Sequence, residues 1–224
     1  MKNTHNFLFA FASAVLAFGT TFLGLAPEAS AQASVNGIAE ELAIGDKMPM
    51  GDHVMMNIDG GKFMLNDNLG EQGLLVVFSC NTCPFVVGNG EKSEGWEGRY
   101  NGLHAAAEAA GIQMVLVNSN EAKREGDDSF RAMQKHAEIA EYTMPYVVDA
   151  GHRVADAFGA TKTPHVYLFG ANGTLMYRGA IDDNVQNAQK VGETYLLDAI
   201  AEVGAGKKPQ VSETKALGCS IKRL

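Results

Sequence analysis

The chain has 224 residues, 46% of them hydrophobic and 20% charged, with a formal net charge of −8. That balance excludes a disordered chain, a collagen-like repeat and a multi-span membrane protein, and the length suits one domain with a sizeable core. The acidic excess argues against nucleic acid or an anionic membrane surface as partner, and three cysteines are too few for a disulfide scaffold but enough for a redox pair with one left over.

Lys2, an apolar run from Phe7 to Ala26, and Ala29-Ser30-Ala31 follow one another in the order of a secretory signal cut after Ala31. The alternative is an uncleaved N-terminal anchor, since the run is nearly long enough to span a bilayer. Gly19 to Thr21 and Pro27 weigh against the anchor. A signal implies export to the periplasm or another extracytoplasmic space, where disulfides persist and a cysteine pair can serve as catalyst or as staple. Residues 32–45 read as a mobile leader, 46–206 as the folded domain and 207–224 as a flexible C-terminal tail.

Strands and helices then alternate. Residues 54–58 and 62–64 predict a hairpin around Asp59-Gly60-Gly61. Residues 74–78 are continuously apolar, as in a central strand buried on both faces. A helix is expected over 93–110 and a second buried strand over 112–117. Residues 128–140 predict a helix capped by Asp127 or Asp128. A strand at 146–148 and a helix at 152–158 follow. Strands 166–169 and 175–178 flank Asn172-Gly173, a strong hairpin signal, and 194–203 closes the domain as a helix. The order predicts one α/β domain with a mixed central sheet.

Cys80-Asn81-Thr82-Cys83 directly follows the 74–78 strand, and Pro84 suits the first turn of a helix. Two thiols at a strand-to-helix junction face unpaired N–H groups that stabilise a thiolate, and two intervening residues let the sulfurs meet. Catalysis also needs one of the two sulfurs to stay open to partners. Half of a zinc site is the competing reading, but no second CxxC and no His pair at ligand spacing completes it. An inert structural disulfide is the other. Thr163-Pro164 precedes the 166–169 strand; a cis bond there would turn free backbone groups toward a substrate, whereas an ordinary trans-proline would only start the strand.

These features together resemble the thioredoxin-like superfamily, and within it the peroxiredoxin-like branch of alkyl hydroperoxide reductases, thiol-specific antioxidant proteins and redoxins. Residues 44–49, the Asp59 to Lys62 turn with Leu65, the 74–84 strand and thiol loop, and Thr163-Pro164 carry the resemblance. Ile181-Asp182-Asp183-Asn184 and Gly218 to Lys222 are similar to late signatures of a redoxin subgroup. The resemblance implies a thioredoxin-like α/β fold, a mixed sheet flanked by helices and an N-terminal β-hairpin. It also implies thiol chemistry at Cys80 and Cys83, with Thr163 and Pro164 aligning a substrate chain by backbone pairing.

Departures from the pattern favour disulfide exchange over peroxide reduction. Phe78-Ser79 stands where thioredoxins carry Trp before the first Cys. With Cys83 aligned to the peroxidatic Cys, Cys80 occupies the place of the peroxide-binding Thr, and Val76 that of a Pro. Arg178 is a weak candidate for an activating cation.

The expected function is therefore exchange with protein or small-molecule thiols and disulfides. Cys80 attacks as thiolate, Cys83 resolves, and no cofactor or resident metal takes part. Peroxide reduction at Cys83 is the alternative, and a non-catalytic copper- or thiol-binding module is a third, because five methionines and His53 lie between Met48 and Met64. Met55 and Met56 would point to opposite faces of a strand, which favours core packing. Cys219 is a resolving thiol, a spare one, or one that cross-links two chains. Gly88 to Gly90 should break the active-site helix, and Gly95, Gly98 and Gly102 could allow close helix packing. Asp127, Asp128 and residues 121–125 read as a solvated loop, Trp96 as core, and His104, His136 and His152 as surface residues. For His165, next to the presumed site, a structural role is at least as plausible as a functional one.

Overall fold

A computed structural model describes Met1, the backbone of Ser34–Val35 and residues 37–224. The expected signal over 1–31 lies, Met1 aside, outside the described residues. In chain order the strands are β1 (Ser34–Val35), β2 (Ile38–Ala39), β3 (Met55–Asn57), β4 (Lys62–Phe63), β5 (Gly73–Phe78), β6 (Ile112–Asn118), β7 (Tyr146–Val148), β8 (Lys162–Thr163), β9 (His165–Gly170), β10 (Leu175–Gly179) and β11 (Cys219–Ser220). The helices are α1 (Pro84–Val87), α2 (Tyr100–Ala109), α3 (Phe130–Ile139), α4 (Arg153–Phe158) and α5 (Tyr195–Gly204).

Seven strands form a mixed sheet in the order β10-β9-β5-β6-β7-β3-β4. β5 runs parallel to β6 and antiparallel to β9, and β6 runs parallel to β7. All six residues of β5 are buried. A strand walled in on both faces must be apolar throughout, and this run meets that demand. Leu75 and Val77 face the core shared with α2 and α5, whereas Leu74, Val76 and Phe78 face the core shared with α4. The predicted hairpins form: β3 pairs with β4, and β9 with β10.

The helices follow their apolar spacing. Tyr100, Leu103 and Ala107 line the buried stripe of α2, and Leu196, Ala199, Ile200 and Val203 that of α5. The helix expected over 93–110 starts only at Tyr100, because Gly88 to Arg99 folds back over α1 with two short 3-10 turns. The expected break is there: α1 stops at Val87, and Gly88 follows at φ +85°. Of the later glycines, only Gly95 allows a close approach, where a Cβ would collide with the Val86 carbonyl and Gly88 N of α1 and its end, whereas a Cβ at Gly98 or Gly102 would meet nothing within 4 Å. α3 is capped by Ser129, whose side chain accepts from the Ala132 N–H at 3.3 Å, and not by either aspartate.

Two segments read as loose are anchored. Leu42 of the expected leader is buried and its N–H donates to the Phe158 carbonyl at 3.2 Å. In the C-terminal tail, Thr214 N–H donates to Arg178 O, Ile221 N–H to Thr161 O and Lys222 N–H to Asn120 Oδ1. β11 pairs antiparallel with β8, a pairing that a two-residue strand does not announce in its sequence. No helix among the described residues is long and apolar enough to cross a membrane.

Phe158 packs edge-on against Phe78, Tyr167 and Phe169, with ring centroids 5.3–5.6 Å apart. Phe158→Ala is expected to cost about 3–5 kcal/mol, from lost transfer energy and a residual cavity. Urea unfolding should show a lowered midpoint with an unchanged slope.

Candidate active site

β5 delivers Cys80 two residues past its end, and α1 begins immediately after Cys83. The turn between them is held from below. Ser79 N–H donates to Val117 O at 2.9 Å, and the Ser79 and Tyr100 hydroxyls meet at 3.1 Å. Asn81 N–H donates to Asp128 Oδ1 at 2.9 Å, and the Asn81 side chain spans Asp127 O and the Tyr146 hydroxyl. Asp128 also accepts from Asn118 Nδ2 at 2.8 Å and Asn120 Nδ2 at 3.0 Å. It is 0% exposed, so the solvated-loop reading of this aspartate is corrected. Three inward-facing donors required a carboxylate among them, and burial without such partners would be prohibitive. The signal available in the sequence was Asn118-Ser119-Asn120 at the end of β6, an excess of amides with no obvious acceptor.

From above, β8 closes the site. Thr163-Pro164 is a cis peptide bond. Thr163 Oγ1 lies 3.4 Å from Cys80 Sγ, and its carbonyl lies 3.0 Å from Cys83 Sγ. The expected substrate-pairing edge at Thr163 is already filled, because Cys219 of β11 stands directly opposite it. The structure thus gathers all five expected site residues: Cys80, Cys83, Thr163, Pro164 and Cys219.

Cys80 is 2% exposed and Cys83 4%, so neither sulfur is open as expected. Cys219, part-buried, is the most accessible of the three thiols. The neighbouring Cys80 thiol, and after it the side chain and N–H of Cys219, hold the Cys83 pKa down at about 5 despite burial. The Thr163 side chain lowers it further. Cys80 moves up, chiefly because its proton is held by Cys83 and then because of burial, with the Asp128 charge adding to the rise. Burial and its hydrogen bond to Cys83 push Cys219 up to about 11. The two thiols thus diverge in acidity, Cys83 downward and Cys80 upward. The source of activation also differs from expectation: α1 has only four residues, and neighbouring donors supply what a helix dipole was to provide.

Other expected candidates lie elsewhere. Arg178 is bound by Glu213, Glu41 and the Leu42 carbonyl. His165 is buried between Glu41 and Tyr167, and Tyr167 belongs to the core on the sheet face opposite the sulfurs. Trp96 is core, as expected, and donates to Asp182, which also binds Arg99 at 2.7 Å. The Ile181 to Asn184 signature is thus a structural clamp. His136 and His152 are not simple surface residues: each is part-buried and pairs with a carboxylate, Glu97 and Asp156 respectively. Met55 is 2% exposed and Met56 54%, as alternation required. Among the described residues, no group of three or more His, Cys, Asp and Glu side chains is arranged to hold a metal ion.

A mixed sheet with a dithiol turn under a cis-proline defines a thioredoxin-like redoxin. Residues 44–178 match the AhpC/TSA family, and the chain belongs to it. An uncharacterized conserved protein from Geobacillus kaustophilus is 29% identical, with a TM-score of 0.71, covering 80% of this chain and 92% of that one. A hypothetical protein from Sinorhizobium meliloti 1021 is 27% identical, with a TM-score of 0.72, covering 83% and 97%. The bacterioferritin comigratory protein of Xanthomonas campestris shares the fold at 15% identity and a TM-score of 0.51, covering 73% and 99%. No curated protein matches the sequence.

Proposed function

We propose that this redoxin is an exported thiol–disulfide oxidoreductase whose Cys83 thiolate attacks the substrate disulfide and whose Cys80 thiol closes the internal disulfide. The contact of the two sulfurs beneath Thr163 carries the reading. A mixed disulfide on Cys83 has Cys80 beside it, and Cys80 displaces the substrate thiol while losing its proton. The turn is held by Asn81 and Asp128, so attack and resolution proceed without rebuilding the loop.

A thiol-exchange assay with a disulfide substrate tests this. Cys83→Ser is expected to lose about a hundredfold or more in rate. Cys80→Ser should stop after the first attack and accumulate a mixed disulfide visible by mass spectrometry. Full activity in Cys83→Ser would overturn the assignment. Export is supported by the order of residues 2–31, and N-terminal sequencing of extracytoplasmic protein should begin at Gln32.

A second reading, peroxide reduction at Cys83, is favoured by the AhpC/TSA match together with the depressed pKa of a Cys that Pro84 follows. Stopped-flow oxidation of reduced protein by hydrogen peroxide decides it: a rate no faster than that of a free thiolate removes peroxidase activity from consideration.

A further inference from the structure

Cys219 is not a spare thiol at a loose end. Its strand is fixed on both sides of the sulfur. Ile221 and Lys222 donate to Thr161 O and Asn120 Oδ1, and Ala122 N–H donates to Lys222 O. Before it, Gly218 lies so close to the Thr163 carbonyl that any Cβ would collide there. That carbonyl is the one beside Cys83 Sγ. Cys219 packs against the same core cluster as Cys80 and Cys83. The Asn120 that holds Lys222 also donates to Asp128, which holds Asn81 within the CxxC turn. Loop and tail are two ends of one polar network.

We propose that Cys219 is a third redox residue, a relay that carries the oxidising equivalents of the nearly sealed Cys80–Cys83 disulfide to thiols in solution. This rests on the Cys80–Cys83 pair being the redox centre. Cys219, as thiolate, attacks Cys83 Sγ of the internal disulfide. The Cys83–Cys219 bond forms, the Cys80–Cys83 bond breaks, and Cys80 leaves with the electron pair and takes up the proton that Cys219 released. No net oxidation occurs in this step. An outside thiol then attacks Cys219 Sγ, and Cys83 departs as thiolate. A second outside thiol attacks the sulfur of the first, frees Cys219 and releases the outside pair as a disulfide.

The second step is favoured because its leaving group is Cys83, the thiol of lower pKa. Part of the upward shift of Cys219 comes from Cys83 itself, so that part vanishes once Cys83 is oxidised. β11 also occupies the edge where a substrate chain would pair with Thr163. Partners therefore meet the part-buried Cys219 sulfur, the most accessible of the three, first, and small or flexible thiols are the class served.

The test compares wild type, Cys219→Ser and Cys80→Ser, each oxidised with diamide and then reduced by glutathione. Cys80→Ser is expected to yield a Cys83–Cys219 disulfide by non-reducing peptide mapping. Cys219→Ser is expected still to form Cys80–Cys83, and to be reduced about tenfold or more slowly than wild type. Reduction of Cys219→Ser at the wild-type rate, or no Cys83–Cys219 bond in Cys80→Ser, overturns the relay alone. Absence of a Cys80–Cys83 bond in both wild type and Cys219→Ser overturns the underlying dithiol reading and the relay with it.

Discussion

Thiolate absorbance of the reduced protein is expected to rise through a transition centred near pH 5. It should be absent in Cys83→Ser and displaced upward in Cys80→Ala, which loses the principal donor to Cys83. At pH 7 Cys83 is then almost wholly ionised, whereas a thiol at the ordinary 9.0 would be about one per cent ionised, roughly a hundredfold difference in the reactive form. The sign of the stability effect follows. Cys83 has its folded pKa below the unfolded 9.0, so its contribution is fully present above 9 and is lost as pH falls toward 5. Cys80 has its folded pKa raised, so its contribution is present below 9 and is lost as pH rises beyond it. The oxidised protein has neither ionisation. The denaturation midpoint of reduced relative to oxidised protein should therefore climb from pH 5 to 9 and turn down above. The reduction potential should fall by about 60 mV per pH unit below pH 5 and by about 30 above it, as the couple passes from two protons to one. A single slope across that range would show that Cys83 is not the ionised partner.

Asp128→Ala is expected to destabilise the fold by about 3 kcal/mol or more, because three buried donors lose their acceptor together. These are Asn81 N–H, Asn118 Nδ2 and Asn120 Nδ2. Asp128→Asn keeps the volume and one acceptor oxygen, but sets its amide against that of Asn120. Turning the Asn120 amide relieves this conflict and at once withdraws the Oδ1 that holds Lys222. Asp128→Asn should thus cost only about 1–2 kcal/mol, yet raise the alkylation rate of Cys219 in the folded protein. A mere packing role for Asp128 would lower stability and leave Cys219 reactivity untouched.

The parts of this molecule that could be read in its sequence are those whose cause is local. An unbroken apolar run makes a central strand wherever it occurs, so 74–78 declared itself. Asn172-Gly173 dictates its own turn, and Thr163-Pro164 with CxxC is specific for the fold. The rest depends on partners far along the chain. Asp128 is indistinguishable from a solvated aspartate until Asn81, Asn118 and Asn120 are brought around it. Ser129 and Asp128 are equally good caps by type, and the amides decide between them by claiming the aspartate. Leu42 and the 212–223 segment carry too few apolar residues to announce burial. The order of thiol acidity likewise comes from Cys80 beside Cys83 and, after it, from Cys219, a neighbour that neither a motif nor a helix dipole reveals.

The clamp of β11 on β8 also has a bearing on how the molecule comes into being. Cys219 follows Cys83 by about 136 residues, so their contact carries a large loop-closure cost and waits on synthesis of the last residues of the chain. A nascent molecule thus passes through a stage with its paired sulfurs bare, when an oxidant can take Cys83 to sulfinic acid and end its career. The last strand to dock is a shield during maturation as much as a component of the finished machine.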